Sequence, residues 1–184
     1  MTIGSVDPAG QLSLAAIQSM DLETAMMAVQ SNRVNLLDTQ LKDQIATVQA
    51  RNNQISKLNQ LLGALNKTAA AFPGDAKSDA LVLSVPNAAV LCQEVRNATV
   101  EAGINDLKMP GGDSNGFGGS VSKGALDGKI QELKSMIDSL SNTQQMDMLR
   151  LQSLTNKRNE AYEVMSNFMK KLADSKSGIL STWR

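Results

Sequence analysis

The chain has 184 residues, 18 lysines and arginines against 18 aspartates and glutamates, a formal net charge of zero and a hydrophobic fraction of 42%. That balance supplies no broad electrostatic pull toward nucleic acid or anionic lipid, and the absence of histidine removes the commonest neutral-pH acid/base and metal ligand. A single cysteine excludes an internal disulfide and every paired-cysteine metal motif, while an aromatic content of 3% makes a thick globular core hard to assemble.

The first twenty residues, MTIGSVDPAGQLSLAAIQSM, carry glycine, serine and proline without periodicity and are expected to be disordered. They hold no basic residue and no apolar run long enough for a cleavable signal or a membrane span, which disfavours the general secretion route and integral membrane residence.

From Met20, steps of seven reach Met27, Val34, Leu41, Val48, Ile55, Leu62 and Ala69, all apolar. Leu37, Leu58 and Leu65 fill partner positions on the same face, and Gln44 and Arg51 interrupt it. A helix over 21–71 follows, with Asp21 as N-cap, Thr24 where a capping box would place glutamate, and a stop before Phe72, Pro73 and Gly74.

Residues 72–125 are a different material, holding three of the four prolines and most of the glycines. ALVLSV (80–85) is a short apolar run, 87–102 reads as an amphipathic helix capped by Asn87, and GINDLKM (103–109) suits a strand or turn. Cys92, in AAVLCQEV, reads as a small buried hydrophobe. GGDSNGFGG (111–119) is a loop that resembles no phosphate cradle, since no Gly-Lys-Ser/Thr follows and no βαβ frame surrounds it. No cofactor or metal is expected.

A second seam runs from Leu126 through Ile130, Leu133, Ile137, Leu140, Leu151, Leu154, Ala161, Met165, Phe168 and Leu172, broken at Gln144, Asp147 and Arg158. It defines a helix over 126–176, starting at Ser122 or Gly124 and stopped by the glycine of SKSG (175–178), with 177–184 as an apolar tail. The expected fold is mainly α: a long antiparallel coiled-coil hairpin of the two terminal helices around a small irregular or α/β insert. With Ala69 opposite Leu126, paired positions sum to about 195–198 and Leu37 lies near Arg158. This register brings Arg51, Gln144 and Asp147 into one polar layer with an Arg51–Asp147 pair, an arrangement that selects register more than it adds stability.

A two-helix seam is too thin to be sufficient. Leu22, Met26, Val29, Leu36, Ile45 and Leu61 lie off it on the first helix, and Met136, Met146, Met148, Leu149, Val164 and Met169 lie off it on the second. An antiparallel pair hides one stripe per helix, so this second stripe wants either the insert or another molecule. Met26, Val29, Met148, Val164 and Met169, with Ile179, Leu180 and Trp183 of the tail, are the expected self-assembly contacts.

A long polar-capped helix, a variable glycine-rich middle and the closing segment SNTQQMDMLRLQSLTNKRNEAYEVMSNFMKKL together resemble the type III secretion needle-tip and tip-filament proteins, the nearest kinds being the EspA-like filament proteins and related polymerising tip-complex proteins. The resemblance implies export through a needle and refolding outside the bacterium. There the chain would form a homo-polymer or ring at the needle tip, in contact with the needle subunit and translocator proteins, as a cap or hollow filament for effectors. It also implies transient cytoplasmic residence. Because the extra N-terminal hairpin of the larger tip proteins is missing, a dedicated cytoplasmic chaperone over the apolar C-terminal helix is expected.

Three rivals stand beside this reading. An enzyme finds no histidine and no nucleophile beside a base, and carboxylate pairs such as Asp21/Glu23, Glu160/Glu163 and Asp138/Asp147 sit on predicted solvated helix faces. An intracellular coiled-coil adaptor or secretion chaperone explains the seams equally well but needs neither the polar N-terminus nor the glycine-rich insert. A pore-forming translocator lacks an apolar run near twenty residues.

Overall fold

The computed structural model describes residues 21–104, 107, 109–112 and 117–182, with side chains at the far end described only through residue 177, apart from Lys176. The expected disorder of 1–20, and part of the glycine-rich loop, lie outside these residues. Among the described residues the chain is mainly helical, with α1 over Leu22–Ala70, α2 over Ala88–Glu101 and α3 over Lys123–Thr182. A single 3₁₀ turn, Val82–Ser84, precedes α2.

Local chemistry sets most of the ends. Asp21 Oδ1 accepts from the Thr24 backbone N–H at 2.9 Å, and the Thr24 hydroxyl donates to Oδ2 at 2.8 Å, so the threonine binds the cap from the position a glutamate would occupy. The backbone hydrogen bond from Thr24 holds the Asp21 carboxyl below its ordinary pKa. At its other end α1 tightens into two i+3 bonds, from Ala71 N–H to Thr68 and from Phe72 N–H to Ala69, before Pro73 ends it. Ser122 caps α3, its hydroxyl accepting from Ala125 N–H at 3.2 Å.

Two expectations are corrected and a third is narrowed. Asn87 precedes α2 but does not cap it with its side chain: its backbone is left-handed, with φ 57°, and its carbonyl rather than its amide receives the Val90 and Leu91 N–H groups. Gly178 does not end α3, which continues to Thr182, so the residues expected as a tail from 177 are helical that far. A lone glycine weakens a helix by about 1 kcal/mol without removing a hydrogen bond, and no proline follows to enforce a stop. The insert is irregular, not α/β, and no strand forms among the described residues. Residues 78–83 and 119–124 exchange several backbone hydrogen bonds, such as Leu83 N–H to the Gly119 carbonyl at 2.8 Å. The 3₁₀ turn stops the extension, leaving one antiparallel bridge between Leu81 and Ser122.

The chain divides into two compact units. One, the core unit, is Val48–Met146; the other, the arm unit, comprises the residues up to Thr47 and from Asp147 onward. In the core unit the second half of α1 and the first half of α3 run antiparallel and the insert packs over them. Leu58, Leu61 and Leu65 of α1, Leu91, Cys92 and Val95 of α2, Phe117 and Val121 of the loop, and Leu126 and Leu133 of α3 form one contiguous core. Polar ties fix the insert: Gln54 Nε2 donates to the Ala102 carbonyl at 3.1 Å, Lys67 meets Glu94 at 2.6 Å, and Arg96 Nε donates to the Phe117 carbonyl at 2.8 Å. Gly111 must be glycine here, because its φ is +83° and an added Cβ would stand 2.1 Å from the Ser120 carbonyl oxygen.

In the arm unit, α1 up to residue 47 pairs with α3 from residue 147 onward, and among the described residues no third layer covers the pair. Its buried apolar side chains among the described residues are Ala25, Val34 and Ala161.

Candidate functional site

Two features other than the core carry specific chemistry: the polar positions on the helix seams and the apolar positions off them. In the core unit the Gln144 amide donates to the Asn52 side-chain oxygen. In the arm unit the Arg158 Nε donates to Asp38 Oδ1, and the Tyr162 hydroxyl donates to Asp38 Oδ2 at 3.3 Å. The Arg158 guanidinium also lies over the Tyr162 ring, 4.9 Å from its centroid. The hydrogen bond it donates to Asp38 holds the Arg158 pKa above its ordinary value. The residue numbers of Asn52 and Gln144, and of Asp38 and Arg158, both add to 196, inside the range read from the heptads.

Gln44 and Asp147 also belong to the arm unit. The Gln44 amide donates to the Asp147 backbone carbonyl at 3.4 Å, and Asp147 is buried, with 4% of its surface exposed. Asp147 is therefore no member of a solvated carboxylate pair, because the heptad turns position 147 inward even though its residue type is polar. Arg51, half-buried on α1, belongs to the core unit.

Of the apolar seam residues, Val48, Leu58, Leu65, Ile130 and Leu133 are buried in the core unit, and Ile55, Leu62, Ile137 and Leu140 are half-buried. In the arm unit Val34 is buried, whereas Leu37, Leu41, Leu151, Leu154, Met165, Phe168 and Leu172 are half-buried. Met27, assigned to the seam by the seven-residue step, is exposed.

Off the seam, the insert changes one assignment. Leu61 is fully buried against it, and so is Thr68, seven residues on, because both lie on the edge of α1 that the insert covers. The remaining off-seam residues stay exposed: Leu22, Met26, Val29, Leu36 and Ile45 on α1, and Met136, Met146, Met148, Leu149, Val164 and Met169 on α3. Leu22, Met26, Val29 and Leu36 follow one another at intervals of four, three and seven and are between 43% and 76% exposed. That is the spacing of a second coiled-coil seam. The side chains of Ile179, Leu180 and Trp183 lie outside the described residues.

Sequence reasoning missed Asp38, Tyr162 and Asn52. Each lies one position beyond a seam residue, where a side chain reaches across the edge of an antiparallel pair; a sum of 196 sets Asp38 opposite Arg158 and Asn52 opposite Gln144, and Tyr162 follows Arg158 by one helical turn.

No described helix is long and apolar enough to cross a membrane, and no group of three or more potential metal ligands occurs among the described residues. Comparisons with protein-family models, with characterised proteins and with solved structures find no match for this chain.

Proposed function

We propose that this chain is a self-assembling structural protein: a component of a bacterial type III secretion apparatus that polymerises at the needle tip into a cap or hollow filament. The observation that carries the reading is the exposed ridge of Leu22, Met26, Val29 and Leu36, a heptad seam with solvent where a helix would lie. Exposed methionines and Val164 on α3 of the same unit offer further apolar surface for a neighbour. With a formal net charge of zero, copies approach without long-range repulsion. Export before assembly calls for a chaperone over the same apolar surface, and needle subunits and translocators are the partners at the tip.

Light scattering and negative-stain imaging of the pure protein over a concentration series test this reading. Concentration-dependent rings or filaments are expected, and Val29→Glu with Leu36→Glu should abolish them while helical circular dichroism is retained. A monomer at every concentration would overturn self-assembly. Fusion of residues 1–20 to a reporter tests the secretion assignment separately: export by a type III apparatus is expected, and retention would favour the intracellular adaptor.

A further inference from the structure

We infer that the arm unit is a latch, opening and closing as a cooperative element of its own while the core unit stays folded, and that Asp38, Arg158 and Tyr162 hold it shut. Helix pairing is worth what it removes from water, and here it removes little. The arm unit's buried apolar side chains among the described residues are one valine and two alanines, and its seam leucines are half-buried. Polar groups occupy seam positions as well. Gln30 buries its side-chain oxygen without a hydrogen-bond partner among the described residues, and Asp147 is buried in the same helix pair. Opening rehydrates such groups, which offsets part of the lost apolar contact.

Against this weak seam the Asp38 cluster is the strongest specific tie. One carboxylate receives a charge-assisted hydrogen bond from Arg158 and a second hydrogen bond from Tyr162, while the arginine stacks on the same tyrosine from one helical turn away. Both charged side chains keep more than a third of their surface in water, so little desolvation is spent in forming the pair. It joins α1 to α3, so breaking it frees one arm from the other without disturbing a core residue. An open latch would present Val34, Leu37 and Leu41 of α1 to any helix able to replace α3, and it would act in this way whether or not the chain serves a secretion apparatus.

Hydrogen exchange read by mass spectrometry on the full chain, kept dilute enough to be monomeric, tests this. Amides of 26–47 and 150–172 are expected to exchange at least about 100-fold faster than those of 58–69 and 126–137. Asp38→Asn should accelerate the arm amides about tenfold and Tyr162→Phe about threefold, with the core amides unchanged. Glu94→Gln, which removes the ion pair with Lys67 in the core unit, should leave arm exchange as it was. Equal exchange across both units would overturn the latch, as would acceleration of core and arms together by Asp38→Asn. Should Asp38→Asn fail to fold, the wild-type pattern decides the first claim. Arg158→Lys, which keeps the charge but loses the planar donor fork, decides the second: unchanged arm exchange in that variant would remove the cluster from its role.

Discussion

The core unit and the arm unit draw on the same two heptad seams, yet they bury them to different depths. Leu58, Leu65, Leu126 and Leu133 are at most 2% exposed, whereas Leu37, Leu41, Leu151 and Leu154 are only half-buried. Seam composition does not explain this, since leucine fills both. The difference is the third layer: α2 and the loop through Phe117 and Val121 close over the core unit and draw Leu61 and Thr68 inward from the edge of α1. A heptad seam thus supplies pairing, and a covering layer supplies burial.

The comparison can be broken most directly by truncating equivalent leucines. Leu61→Ala in the core unit should cost about 3 to 4 kcal/mol of unfolding free energy by denaturant titration, since a fully enclosed side chain leaves a cavity. Gly111→Ala should cost about 2 to 3 kcal/mol in the same titration, from a left-handed backbone and the approach of the Ser120 carbonyl. Leu37→Ala in the arm unit should cost only about 1 to 2 kcal/mol, because part of the side chain is already in water. A loss at Leu37 equal to that at Leu61 would mean that the arm seam is a full core. Leu36→Lys should change stability by less than about 0.5 kcal/mol while lowering the light-scattering mass at high concentration.

The smallest effect is at the start of α1. The Asp21 pKa is lowered from 3.8 in the folded chain, so its contribution is present above that value and is lost as the pH falls through the lower folded one. NMR of the first turn should show fraying as the pH falls below 3.8, and Asp21→Asn, itself a good cap, should largely remove that pH dependence. Fraying that is independent of pH would mean that the carboxylate does not cap the helix.

Much of the architecture was legible in the residues because it depends on neighbours close in the chain. Asp21 and Thr24 mark the start of α1, Phe72 and Pro73 its end, and Ser122 the start of α3. The seven-residue repeats of both seams put paired positions at sums of about 195–198, and the Asn52–Gln144 and Asp38–Arg158 bonds, at 196, fall in that range. The glycine of SKSG misled because a helix tolerates one glycine when no proline follows within the next turn. Asn87 misled because its residue type suits a side-chain cap and also the left-handed backbone it adopts.

By itself the sequence determined where the two long helices and the short one lie, apart from the far end of α3, which stripe of each is apolar and roughly which positions face one another, since periodicity and capping act over a few residues. Tertiary structure alone decided that Leu61 is core while Leu36 is surface. It also decided that one carboxylate, that of Asp38, takes hydrogen bonds from both Arg158 and Tyr162. Burial and long-range hydrogen bonds depend on what comes to lie across from a residue, and partners some 120 positions away in the chain are chosen only when the helices dock.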